Sequence, residues 1–484
     1  MTSVTAGAAP KAAPTATQDR SLSFGRTLAF SATSLPINAA IIAVMIHLPP
    51  YFATTVGVPL AAVGVIFAIC RFIDIPVEPM LGLAMDRTRT RFGRFRVWTV
   101  VGAPLLMVGF YMLLQAGKGV SQGYLIAWLL VMYLGMSTLL LSHAAWASTL
   151  AKSYNDRARI FGIMTAAGVF GSLGVLILPN IMEAQGFSEA EGIRAMVWYV
   201  IGLTPVCVGL VVMLTPETLP VEVKGQRFRA RDYLELITHP SMARILLADL
   251  CLTLGPGWMS ALFLFFSRDR MHFTTGQANQ LLIVYIIAGL LGAPCMAWLA
   301  TRIGKHRTCQ LACLVYSASL ICIVFLPPGN VWANMPINFV TGFVATGFVV
   351  MVRSMVADVT DDIRLHQGKE RGGLLYSLTT STAKIAGAAG TVITYPLLQR
   401  LGYDPKLGTH NSHEAIQGLT IAFLAGPTFF LALGAACFIG YKLSAEKAAE
   451  TRHLLEARDA ALADERDLAG LGADPGPLIS PTRS

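Results

Sequence analysis

The chain has 484 residues, of which 54% are hydrophobic and 13% charged, and its mean hydropathy is +0.58. A soluble globular domain carries about 25% charged residues, so this composition excludes one and describes a chain built for lipid. The net charge of +9 does not indicate nucleic-acid binding, because the basic residues fall in short loops between apolar runs rather than in one patch.

Residues 1–27 are rich in Ala, Thr and Pro and lack the apolar core of a cleaved signal peptide; a disordered cytoplasmic tail is expected there. Twelve apolar runs follow, near 28–54, 59–85, 96–116, 123–151, 159–184, 194–215, 241–267, 275–301, 307–327, 331–357, 373–400 and 415–443. Each approaches or exceeds the roughly 20 residues that a helix needs to cross hydrocarbon. None alternates with strand period, so all are expected to be helices, whose backbone polar groups are satisfied internally. The eight cysteines all lie within these runs and read as small buried apolar residues.

The longest polar gap runs from Pro216 to Pro240 and mixes Glu217, Glu222, Lys224, Arg227, Arg229, Arg231, Asp232 and Glu235. It divides the chain into bundles of six spans at 28–215 and 241–443, joined by a cytoplasmic linker at 216–240. A faint repeat agrees. Gly82 to Asp86-Arg87 and Gly93-Arg94 close the second span, while Gly292 to Arg302-Ile303-Gly304-Lys305 close the eighth. The expected fold is an all-α membrane protein of twelve transmembrane helices, a major facilitator fold of two six-helix bundles with a midplane substrate site.

After Leu443, the residues Leu454, Ala461 and Leu468, with Leu455 and Leu462 beside them, recur every two helical turns. They predict a short amphipathic, solvated helix in a cytoplasmic tail at 444–484. The loops after spans two, four, eight and ten carry most of the loop Lys and Arg, which places both termini in the cytoplasm.

The chemistry concentrates in the second span. Arg71, Asp74 and Glu78 are spaced i, i+3 and i+7 and share one helix face. A charge near the bilayer centre costs about 2.5–3.5 kcal/mol on insertion scales, so three must face the protein interior or water. Two carboxylates a turn apart repel unless a cation or proton lies between them, which makes the pair a coupling-ion site. Arg71 can hold the acids when the ion is absent. A purely structural ion pair would not need the second acid. Pro76 and Pro79 are expected to interrupt the helix and free backbone carbonyls.

Asp86, Arg87 and Arg94, with Arg89, Arg91 and Arg96, set topology and form a gate, with Asp86 expected to pair with the neighbouring bundle. Lys384 lies mid-span among Thr, Ala and Gly, too deep to snorkel to either surface. It can reach the second-span carboxylates or bind an anionic group. Arg353 and Asp358 sit near the cytoplasmic end of the tenth span, as gate or substrate contacts; Asp249 is a lone acid in the seventh. His47 and His143 are proton relays or simply hydrogen-bonded histidines. Trp146 and Trp258 stack on a sugar ring or pack. No phosphate-binding Gly-Lys-Ser/Thr loop, metal-binding His cluster or Gly-x-Ser-x-Gly elbow occurs. The chain therefore reads as no enzyme and without a cofactor, powered by an ion gradient.

Asp74-x-x-x-Glu78-Pro79, Gly82 and Asp86-Arg-Thr-x-Thr-x-x-Gly-Arg-x-Arg resemble the signature of the glycoside–pentoside–hexuronide:cation symporters, whose best-known branch is the melibiose permease group. The likeness continues in Trp146, Asp358-Val-Thr-Asp361, Glu370-Arg371, Tyr376-Ser377 and Lys384, and covers about 30–443. It implies that Asp74 and Glu78 form the cation site (a metal site if sodium is the ion) and that Lys384 links cation to sugar. Substrate contacts would come from Asn38, Arg71, Ser142, Trp146, Tyr376 and Lys384.

The departures are informative. Asn38 and Ser142 stand where melibiose-type members carry acids, and no charge occurs between Ile160 and Met182, where they carry an arginine. Val77 and Leu139 replace polar sodium ligands. The resemblance thus implies proton rather than sodium coupling. Retention of Arg71 and Lys384 tilts the cavity positive, toward a hexuronide or another organic anion. The expected protein is a monomeric symporter of the bacterial inner membrane. Its partners are the lipid bilayer and a sugar or sugar-acid moved by alternating access, with no nucleic acid. A lysophospholipid or other organic-anion carrier, and a transport-inactive membrane sensor, are the alternatives.

Overall fold

The computed structural model describes residues 23–150, 154–217, 238, 240–367 and 372–440, with isolated positions between 447 and 457. Most of the expected N-terminal tail, linker and C-terminal tail lies outside the described residues. So do some side chains within helices, including those of Asp86 and Tyr376. The isolated positions between 447 and 457 are helical, with Leu455 buried and Leu454 exposed.

Among the described residues, twelve long helices follow in order. They are α1 Phe24–Val56, α2 Leu60–Arg87, α3 Phe95–Leu114, α4 Gln122–Leu150, α5 Tyr154–Ala184 and α6 Glu189–Leu214. The second half comprises α7 Pro240–Phe265, α8 Thr275–Ile303, α9 Lys305–Val324, α10 Val331–Gln367, α11 Gly372–Arg400 and α12 His413–Ala436. All except α11 are long and apolar enough to cross a membrane among the described residues. The α11 helix has 29 residues, ample for a crossing, but its Ser, Thr, Gly and Lys content makes it less apolar.

Proline has opposite results in α1 and α2. In α1, Pro49 and Pro50 lie in the turn Leu48–Tyr51, flanked by wider five-residue turns at Ala43–His47 and Phe52–Val56. The missing N–H groups shift neighbouring hydrogen bonds to longer spacing. It stops at Gly57, whose φ of 86° suits a residue without Cβ. In α2, by contrast, helix continues through Pro76 and Pro79 to Arg87. The expected interruption does not occur. Each proline deletes only one ladder bond, so Phe72 and Ile75 lose a helical partner for their carbonyls while the flanking bonds hold the rod.

Small residues set the packing. An added Cβ would lie 2.3 Å from the Leu106 nitrogen at Gly135, and 2.2 Å from the Tyr285 carbonyl oxygen at Gly342. These glycines let α4 press on α3 and α10 on α8, where lipid-embedded helices gain close dispersion contact. The contacts repeat between halves. In the first, α3 packs on α4, α1 on α5 and α2 on α4; in the second, α9 packs on α10, α7 on α11 and α8 on α10. Between halves, α2 lies against α11 and α5 against α8, pairs that exchange under the same two-fold relation. The weak sequence repeat at the ends of α2 and α8 therefore falls on equivalent helices.

Twelve described helices running back and forth bring the start of α1 and the end of α12 to one end of the bundle. At the opposite end the halves touch directly. The Gly276 amide donates to Glu183 Oε2 at 2.9 Å, joining α8 to α5. The Ala61 amide donates to Gln399 Oε1 at 3.0 Å, joining α2 to α11.

Candidate functional site

Helical spacing places Arg71, Asp74 and Glu78 on the α2 face turned toward α4 and α11, at the middle of the rod. Asp74 is 3% exposed and Arg71 is 8% exposed, so these charges need partners. Lys384, halfway along α11, supplies them. Its Nζ donates to Asp74 Oδ2 at 2.6 Å and approaches Glu78 Oε1 at 2.7 Å. One ammonium thus bridges both carboxylates across the boundary between the bundles.

The neighbours hold Asp74 in position. Ser137 Oγ on α4 donates to Asp74 Oδ1 at 2.8 Å, and the Arg71 guanidinium stands 3.8 Å from Oδ2. The same guanidinium lies over the Tyr133 ring, 4.3 Å from its centroid. Tyr133 and Ser137 are one turn apart on α4 and face α2 together. Two bases match two acids, so the cluster as it stands is neutral; the positive tilt expected from Arg71 and Lys384 is cancelled.

A second polar group occurs on the other side of α11. Thr382 Oγ1 donates to Asp249 Oδ2 on α7, and the Arg353 charge on α10 acts on the same carboxylate. Thr382 and Lys384 are two residues apart, about 200° around the helix, so α11 touches α2 with one face and α7 with the other.

The remaining sequence-predicted residues are not brought to this cluster. Trp146 is 0% exposed, T-packed on Phe30 at 5.6 Å, with the Arg96 guanidinium over its ring. Its indole donates to the Pro216 carbonyl at 3.4 Å. Ser142 is buried and shares a 3.0 Å hydrogen bond with Thr99. Asn38 Nδ2 donates to its own helix at the Ser34 carbonyl, 2.9 Å away. The Trp258 indole donates to Ala422 O at 2.9 Å, an internal packing bond. His143 is hydrogen-bonded to Phe30 O at 2.9 Å, whereas neither ring nitrogen of buried His47 has a partner. The Tyr376 side chain lies outside the described residues.

The gating residues divide similarly. Arg94 Nε donates to Met85 O at 2.8 Å, closing the end of α2. Glu217, where the linker begins, accepts the amides of Arg94, Phe95 and Arg96 at 2.7, 2.6 and 3.1 Å. A carboxylate at the start of α3 satisfies orphan amides and complements the helix dipole. Asp358 pairs with Lys305 at 2.5 Å, within the second bundle. Arg87 and Arg353 are exposed, and the Asp86 side chain is outside the described residues.

Ser137, Tyr133, Thr382 and Glu217 escape sequence reasoning. Polar residues one turn apart inside the apolar α4 run were the available signal for the first two. Glu217 reads as one linker charge among many until the fold brings it under α3.

Two bundles related by a two-fold, with a charged cluster buried at their midplane boundary, define a major facilitator transporter. Comparisons agree. Residues 29–445 match the family model for MFS/sugar transport proteins. The chain belongs to that family, within the glycoside–pentoside–hexuronide:cation symporters. It is 22% identical over 432 residues to the isoprimeverose transporter of Lactiplantibacillus pentosus, covering 86% of this chain and 88% of that protein. The glucuronide carrier protein homolog of Escherichia coli is 22% identical, with 89% and 94% covered. The sodium-dependent lysophosphatidylcholine symporter 1-B of Danio rerio is also 22% identical, with 84% of each covered. Among solved structures, the nucleoside transporter NupG superposes with a TM-score of 0.66 at 12% identity, covering 86% of this chain and 99% of that one. That likeness speaks for the fold alone.

Proposed function

We propose that the protein is a cation-coupled symporter for a glycoside or hexuronide, driven by protons, in the inner membrane of a bacterium with both termini in the cytoplasm. The observation that carries this reading is the Lys384 ammonium between Asp74 and Glu78. It stands where a coupling cation would, and keeps the acids compensated when no ion is bound. A proton on Glu78 removes one of its partners and leaves Lys384 with surplus charge. A buried charge without compensation is costly, by about 3–5 kcal/mol when one partner of a pair is lost. The ion-loaded, substrate-free carrier is therefore disfavoured from moving between orientations, which prevents leak. Substrate binding between the bundles offsets the penalty, and both bundles then rock. The empty carrier, neutral again through Lys384, returns.

The donor set favours a proton. The described side chains around Lys384 provide two carboxylates and the Ser137 hydroxyl, the Lys384 ammonium already takes the place between the carboxylates, and Val77 and Leu139 stand where the family resemblance expects polar sodium ligands. One charge crossing 100 mV supplies about 2.3 kcal/mol, enough for roughly fifty-fold accumulation. The test is uptake of isoprimeverose and of phenyl glucuronide into proteoliposomes under an imposed pH gradient or an imposed sodium gradient. Accumulation with the pH gradient alone is the expected result. Accumulation that follows only sodium would overturn the proton assignment, and failure of both gradients to drive either sugar would overturn symport.

A further inference from the structure

A cavity of about 450 Å³ opens at mid-depth between α5, α7, α8 and α10. Its volume falls in the range of small-molecule sites. Leu252, Pro256, Ile286, Leu290 and Val349 make its wall largely apolar, and among the described residues Asp249 is the one charged side chain lining it. The Thr346 and Thr165 hydroxyls in the wall are spent on the carbonyls of Gly289 and Phe161. Those bonds use the hydroxyl hydrogens, so Asp249 is the charged acceptor the described wall offers a ligand, beside the hydroxyls of Thr253 and Tyr285, and it is held by Thr382 from α11.

The first bundle offers little for recognition. Ser142 and Trp146 are fully buried in packing, and Asn38 is bonded to its own helix. Resting on the symport reading above, we infer that recognition is centred on this cavity, walled mainly by the second bundle and closed by α5, and that the substrate is a glycoside with an apolar aglycone. The aglycone lies against Leu252, Ile286 and Leu290, and a sugar hydroxyl donates to Asp249 in place of Thr382. The α11 helix connects this event to the ion. Lys384 and Thr382 are on opposite faces of one rod, so release of Lys384 from the acids on α2 loosens the grip of Thr382 on Asp249. A ligand made only of sugar hydroxyls would leave the apolar wall uncovered by anything that profits from it.

The test uses the purified full chain and calorimetric binding of 4-nitrophenyl glucoside and 4-nitrophenyl glucuronide, against free glucose and glucuronate. Lysophosphatidylcholine is the third arm. At least one nitrophenyl conjugate is expected to bind tenfold or more tightly than its free sugar. Ala293→Leu, which fills the cavity, should abolish that advantage, and Asp249→Asn should weaken binding of the same conjugate at least tenfold. Both variants should keep the wild-type melting temperature and gel-filtration profile, which establishes folding. Equal affinity for conjugate and free sugar, unchanged binding in Ala293→Leu, or preference for the lysophospholipid each overturns the inference. Gradient-driven sugar uptake with normal affinity in Ala293→Leu would leave symport standing while removing this cavity from it.

Discussion

At the scale of single residues, the protein is organised around one ammonium serving two carboxylates. Lys384→Met should leave Asp74 and Glu78 facing each other without a counter-charge, and lower uptake at least a hundredfold. Its ion dependence should be altered as well, whereas a merely structural lysine would lower the melting temperature without changing that dependence. Arg71, Asp74 and Glu78 were legible in the sequence because charges inside an apolar run are expensive, and Lys384 was legible for the same reason. Their pairing was one of two readings open for Lys384, the other being an anionic ligand. Positions 74 and 384 are separated by most of the chain, and no local spacing links them. Ser137 and Thr382 were overlooked because a hydroxyl in a transmembrane helix usually bonds its own backbone, as Thr138 does to Leu134 at 2.7 Å.

At the scale of elements, helix length and hydrophobicity made the twelve rods readable, whereas their irregularities depend on what surrounds each proline. The widened turns of α1 and the continuous α2 contain comparable sequence signals, Pro49-Pro50 and Pro76 with Pro79. Adjacent prolines remove two consecutive ladder bonds, while spaced ones leave intact bonds between. Gly135 was not singled out by sequence because its role requires knowing that Leu106 lies opposite. Gly135→Leu should cost about 1–3 kcal/mol through overpacking, or more if α3 and α4 separate, seen as a lower melting temperature of the detergent-solubilised protein. Glu217→Ala should cost about 0.5–2 kcal/mol by uncapping α3. Faster proteolysis between residues 216 and 240 than in wild type would be its local signature.

At the scale of the whole molecule, the two-fold relation was faintly visible in matching helix ends, and becomes plain only in the packing, where α2–α11 and α5–α8 exchange. Contacts at the end opposite the termini hold the two halves together through Ala61–Gln399 and Gly276–Glu183. Alternating access requires these to separate. Joining Ala61→Cys to Gln399→Cys by oxidation should therefore stop uptake, with recovery on reduction and no effect in either single variant; undiminished transport in the cross-linked protein would mean that this end does not open.

The central claim is that Asp74, Glu78 and Lys384 exchange an internal cation for an external one. The most direct measurement is glycoside transport by wild type and Glu78→Gln in matched proteoliposomes, once with an imposed pH gradient and once as exchange between labelled and unlabelled substrate at equilibrium. Wild type should accumulate substrate on the gradient and also exchange it. Glu78→Gln, unable to take or release the proton, should lose accumulation and retain exchange. Uphill accumulation at the wild-type rate in Glu78→Gln would contradict the account.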